Sequence, residues 1–215
     1  MIHVPSPIDE PTAFDVECRQ AGLTYLQNQE ALPKRPKDFW SPFRLDLRRG
    51  FGGCCGYYAM YVHDGHVDHF VSWNTCKNNN TPHLAYEWNN FRFVDGALNS
   101  SKRTLDGLLL DPFEVQDDWF ELELPTLLLR PVRVPADRMD AARLTLERLE
   151  LDQGLRVLEL RWEWYDQHRR GDLPLGGLRR VAPLVARAIE RWNADGRGAL
   201  PDIARPVPEP YANLV

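Results

Sequence analysis

HVDHFV (66–71) and, beyond a polar loop, NFRFVDGALNSSK (90–102) are the stretches on which the fold turns. The first is short and rich in β-branched and aromatic residues, so it reads as a strand. Asp64-Gly65 just before it is a hairpin turn signal, so the strand is expected to return against the aromatic run YYAMYV (57–62). An Asn-rich stretch from Asn74 to Pro82 reads as a loop, because Asn tolerates unusual backbone angles. FRFV (91–94) is then a brief second strand, and Asp95 is placed to cap a helix running through Asn99, Lys102 and Leu105. The centre of the chain therefore reads strand, long loop, strand, helix.

The chemistry of this segment lies in four side chains. Asp68 and His69 are adjacent on a strand, so they point to opposite faces or diverge at its end. Asn99 lies on the following helix, and a strand–helix pair can bring it to the same side of a small cavity as Asp68. Two oxygen donors with open water positions suit Mg²⁺, with Mn²⁺ as its substitute. His69 beside them is a base whose ordinary pKa lies near neutrality, able to take a proton from water. Its ring needs holding, and Asn90, before the second strand, is the residue expected to accept from the distal ring nitrogen. His66, two positions before Asp68, reads as a residue flanking the turn.

The run Val67-Asp68-His69, with Asn90 and then Asn99-Ser100-Ser101-Lys102, resembles the HNH (ββα-metal) endonuclease motif in its H-N-N form. The nine-residue step from Asn90 to Asn99, with Lys102 three further on, looks like the spacing in the HNH domain of CRISPR effector nucleases. The resemblance implies an α+β fold with a ββα-metal core, and an enzyme that hydrolyses phosphodiester bonds of DNA. It implies Asp68 and Asn99 as metal ligands, His69 as general base, Asn90 as the residue orienting it, and Lys102 as a phosphate contact or helix cap. One Mg²⁺ is the cofactor so implied. The general layout also resembles small anti-phage HNH nucleases of the Septu type, which implies a protein partner such as an ATPase. Many HNH domains carry two CxxC pairs on zinc; Cys54-Cys55 keeps at most half of the first and no second pair follows Asn99, so no structural zinc is expected.

Working outward, residues 1–49 are punctuated by proline and include one short helix over 13–28, with Thr12 as its expected cap. This N-terminal extension carries a basic stretch, in which Lys34, Arg35, Lys37, Arg44, Arg48 and Arg49 face only Asp38 and Asp46. Residues 50–112 hold the core motif, and 113–135 an extended acidic segment. From Asp111 to Leu124 there are six acids and no base. That run is expected to lie against the basic stretch or a partner. Residues 136–195 read as a helical region in which Leu144, Leu151, Leu155, Leu158 and Trp162 recur at helical spacing. A break is expected at Asp172 to Gly177, and a last helix over 178–192 kinked at Pro183. Residues 196–215 form a Pro-rich tail.

A chain of 215 residues with 43% hydrophobic and 27% charged residues is ordinary for a globular protein. No apolar run is long enough to span a bilayer, so no membrane partner is expected. The start of the chain has neither a basic region nor an apolar run, and adjacent Cys54 and Cys55 make poor disulfide partners. The sequence is therefore read as cytoplasmic. A net charge of −5 argues against a protein that coats nucleic acid nonspecifically, but not against one that touches a few phosphates. Two other classes remain open: a non-catalytic interaction subunit on a decayed HNH scaffold, and a ribonuclease toxin.

Overall fold

The structure, a computed structural model, describes residues 1–4, 7–102 and 105–206, with only the backbone of Ser100 and Ser101. Pro5, Pro208 and Pro210, counted with the Pro-rich segments, lie outside the described residues. The architecture is α+β: helices packed around two small antiparallel sheets.

The N-terminal helix has a π-helical first part, Asp15–Gln20, that continues directly as α1 (Ala21–Gln27). The residue at its N-cap is Phe14, not Thr12, and no side chain caps it. Phe14 is fully buried among Phe43, Trp88 and Phe91, so aromatic packing fixes the start of this helix. After α2 (Arg44–Gly50) comes the expected hairpin arm, which is not a strand. Ala59 has a left-handed backbone (φ 57°), and the one bridge in the segment joins Cys54 to Tyr61. Tyr57, Tyr58, Ala59 and Met60 are all buried. The run is apolar because it folds into the interior on every side, and such a run does not distinguish strand from coil.

The partner of β1 (His66–His69) is instead β2 (Phe91–Val94), with Asp68 opposite Arg92 and His69 opposite Phe91. The run at 54–62 meets the far edge of β2, where Gly56 N–H donates to the Phe93 carbonyl at 2.9 Å. Gly65 is required at the entry to β1, since a Cβ there would lie 2.3 Å from the Phe93 ring. Between the strands, the stretch expected as a loop contains α3 (Trp73–Asn78), capped by the Ser72 side chain, and a 3-10 turn at Pro82–Tyr86. After β2 comes α4 (Gly96–Lys102), with Asp95 Oδ1 accepting from Ala97 N–H at 2.9 Å as an N-cap does.

Beyond this strand–strand–helix unit, β3 (Phe120–Glu123) and β4 (Leu128–Pro131) form a hairpin of their own. Then follow α5 (Met139–Arg148), α6 (Leu155–Arg169), α7 (Leu175–Val181) and α8 (Pro183–Ala194). Pro183 does not kink a helix; it starts one. Ala182 (φ −150°, ψ 66°) separates α7 from α8, and proline without an N–H is suited to a first helical turn. Gly176 and Gly177, expected in a break, lie within α7.

All these elements share one core, which runs without interruption from Met1 and Val4 through both sheets to Ile189. Asp95 ties its parts together. Besides capping α4 it takes both guanidinium nitrogens of Arg156 from α6, at 2.8 and 2.7 Å, and the Tyr58 hydroxyl at 3.2 Å.

Candidate functional site

The end of β1, the N-terminal segment at Arg35, Pro36 and Trp40, α3 and α4 enclose an open cavity of about 350 Å³. Val67, Asp68, His69 and Asn99 all line it. Asp68 and His69 lie on opposite faces of β1, but the strand ends at His69, so both reach one opening. Of the four side chains singled out in the sequence, Asp68, His69 and Asn99 thus meet at one cavity, and Asn90 does not line it.

The His69 ring is wedged edge-on between Trp40 (centroids 4.5 Å apart) and Phe91 (5.0 Å). Its Nε2 lies 2.9 Å from the Ala85 carbonyl. A carbonyl only accepts, so Nε2 carries the proton, and Nδ1 is the lone-pair nitrogen of the neutral ring. Desolvation pushes the His69 pKa below its ordinary 6.5, against the opposing pull of the Ala85 carbonyl and Asp68. At neutral pH the ring is therefore an unprotonated base in one fixed tautomer.

The role expected of Asn90 on this ring belongs to the Ala85 carbonyl. Asn90 is buried and acts on the backbone: its Nδ2 donates to the carbonyls of Leu84 (2.9 Å) and Val71 (3.1 Å), and its Oδ1 accepts from Val71 N–H (2.7 Å). It clips the exit of β1 to the turn that presents Ala85, so it positions His69 at one remove. A backbone acceptor leaves no mark in a sequence, which is why a polar side chain stood in for it.

Asp68 is 4% exposed, and Lys102 from α4 reaches it at 2% exposure. The Lys102 ammonium lies 2.8 and 3.1 Å from the two carboxylate oxygens, and 2.8 and 2.9 Å from the carbonyls of His69 and Phe70. Lys102 therefore neither caps the helix nor faces solvent; it neutralises Asp68 from within. Beside them, Arg92 binds both oxygens of Asp111 and lies 3.8 Å over the Phe113 ring. The Tyr57 hydroxyl is buried without a partner among the described residues, and burial, helped by Asp68 and Asp111, raises its pKa well above 10.

Asp68 and Asn99 offer hard oxygen donors at one cavity, which fits Mg²⁺ or Mn²⁺. Each carboxylate oxygen has a second lone pair after Lys102 has used the first, but the ammonium charge beside both oxygens opposes a second cation there. Among the described residues no cluster of three or more His, Cys, Asp or Glu side chains is gathered as a metal site. A cation held by Asp68 and Asn99 would complete its shell with water, as Mg²⁺ commonly does.

Among the described residues no acid of the 111–124 run is ion-paired with the basic stretch. Asp111 pairs with Arg92, Glu114 with Arg138, Asp117 with Arg187, and Glu121 with Arg133 and Arg191. Glu123 pairs with Arg130, and these partners come from β2 and the C-terminal half. The four cysteines are free and buried, and burial raises the Cys54 and Cys55 thiols to about 12 and about 11. Among the described residues no helix is long and apolar enough to cross a membrane. Two participants went unread in the sequence: the Ala85 carbonyl, which holds His69, and Arg156, which grips Asp95.

No family model, curated protein or solved structure matches this chain.

Proposed function

We propose that this chain is a metal-dependent endonuclease of the HNH type that hydrolyses phosphodiester bonds, with DNA as its substrate. The observation that carries the reading is the strand–strand–helix unit in which Asp68, His69 and Asn99 open onto one cavity, with His69 neutral and its Nε2–H held by Ala85. Asp68 and Asn99 would hold the Mg²⁺. Bound there, the ion supplies charge stabilisation for the phosphate and the leaving oxygen. His69 Nδ1 takes the proton of the attacking water, whose oxygen bonds to phosphorus as the bond to the leaving oxygen breaks. Trp40 and Phe91 keep the ring from turning, and Lys102 holds the Asp68 carboxylate in place.

The test is cleavage of supercoiled plasmid with Mg²⁺ or Mn²⁺, with EDTA, and with His69→Ala. Nicking that needs metal and falls by about 10²–10⁴-fold in His69→Ala is the expected result for loss of a general base. Equal cutting by wild type and His69→Ala would refute the assignment.

A second reading, a non-catalytic interaction subunit on this scaffold, is favoured by one observation: the carboxylate meant for metal is already satisfied by Lys102. Failure of the wild-type chain to bind Mn²⁺, followed by its paramagnetic resonance, together with absence of cutting, would favour that reading.

A further inference from the structure

A second open cavity, about 580 Å³, adjoins the first; it is lined by Lys34, Arg35, Pro36, Ser72, Trp73, Asn74 and Lys77, and shares Arg35, Pro36, Ser72 and Trp73 with it. We propose that the two form one continuous groove, and that Lys34, Arg35 and Lys77 bind the phosphates of a nucleic-acid strand beside the bond presented to His69. This inference rests on the nuclease reading and adds the path by which the substrate backbone enters.

Two chain segments far apart in sequence build the groove. The Trp73 indole N–H donates to the Pro33 carbonyl at 3.1 Å, which fastens the segment bearing Lys34 and Arg35 against α3. Lys77, one turn along α3, lies with its ammonium 5.9 Å from the centre of the Trp73 ring. Three cations are thereby gathered on one surface. Among the described residues no acid lines the second cavity, and the one acid of the first, Asp68, is neutralised by Lys102. Of the nearby acids, Asp38 accepts from Trp40 N–H and from Ser41, and Asp106 Oδ2 accepts from Ser72 N–H while its Oδ1 is buried without a partner among the described residues.

Lys34 and Arg35 are exposed and have no ion-pair partner among the described residues, whereas Arg19, Arg44, Arg49 and Arg187 each hold a carboxylate. In a chain of net charge −5 such a groove is a local reversal of sign, and it draws a polyanion to one place. A track of cations leading to a base and two oxygen donors suits a phosphodiester backbone, whose charges repeat along the strand.

The experiment uses full-length His69→Ala in EDTA, so that nothing is cut, and reads anisotropy of a fluorescein-labelled DNA duplex across a salt series. Lys34→Glu/Arg35→Glu/Lys77→Glu in that background is expected to weaken binding at least tenfold. It should also flatten the slope of log K against log salt by about 0.9 for each phosphate no longer neutralised. Arg143→Glu, an exposed charge on α5, is the control and should bind as the parent does. Thermal melting of each variant shows that it is folded. If the triple variant binds like the parent, or loses no more affinity than Arg143→Glu, the groove is overturned, even where wild type cuts plasmid. If the triple variant loses binding while wild type cuts nothing with any metal, the groove stands and the nuclease reading falls.

Discussion

At the scale of single residues, His69 and Lys102 make opposite demands on their surroundings. His69 is kept neutral by desolvation, so its folded pKa lies below the 6.5 of an unfolded chain. Between those two values the unfolded state binds more protons than the folded state, and stability falls as pH drops through that window; above 6.5 the contribution is constant. Urea unfolding of wild type and His69→Gln on either side of pH 6.5 should show the extra acid sensitivity in wild type alone. The same shift sets the acid limb of kcat/KM, whose apparent pKa should lie below 6.5 if His69 is the base. The Lys102 ammonium meets four oxygens in the interior, and removing one partner of a buried pair strands the other. Lys102→Met should destabilise the protein by about 3–5 kcal/mol. Lys102→Met combined with Asp68→Asn should recover part of that loss in the same urea titration, because no uncompensated carboxylate remains.

At the scale of elements, β1, β2 and α4 were legible because each carried its own punctuation (Asp64-Gly65 before β1, the alternation of Phe91 and Phe93, and Asp95 at the cap of α4), while the helix α3 inside the expected loop was not. Pairing was not legible either. The run from Tyr57 to Val62 has strand composition yet turns at Ala59, because burial on all sides selects apolar residues without selecting a backbone. Pro183 was misread for a related reason. A proline within a helical pattern interrupts it, but the pattern does not say whether the chain bends or restarts. The meeting of Asp68, His69 and Asn99 at one cavity follows from local order, while the hold on His69 runs through the Ala85 carbonyl, which no side chain announces. Asn90→Ala tests that hold. Losing the Asn90 bonds to the Leu84 and Val71 carbonyls and leaving the Val71 N–H unpaired should cost about 1–3 kcal/mol in chemical denaturation. Any activity should fall through kcat more than KM, since the ring is displaced and the groove is not. Gly65→Ala tests the β1 entry, where a methyl group meets Phe93; overpacking of this kind costs about 1–3 kcal/mol, read as a lowered melting temperature.

At the scale of the whole molecule, the segments read from the sequence do not correspond to separate cores. The extension, the strand–strand–helix unit and the C-terminal helices contribute to one continuous interior. Unfolding should therefore be a single transition, with tryptophan fluorescence and far-ultraviolet circular dichroism giving coincident curves. Two resolved transitions would show that the C-terminal helices melt independently. The charges follow the same plan: Asp111, Asp117 and Glu121 of the 111–124 run are tied to arginines of β2 and α8.

Asp95 sets a limit on how this chain can be taken apart. Its carboxylate begins α4 and is gripped from α6 by Arg156, a residue 61 positions later in the chain. A transplant of residues 50–112 into a foreign scaffold would carry the cap without the clamp, and would leave a largely buried carboxylate with the Tyr58 hydroxyl as its remaining side-chain partner. The unit is not portable. Anyone seeking a minimal version must import α6 with it or build a guanidinium into the recipient.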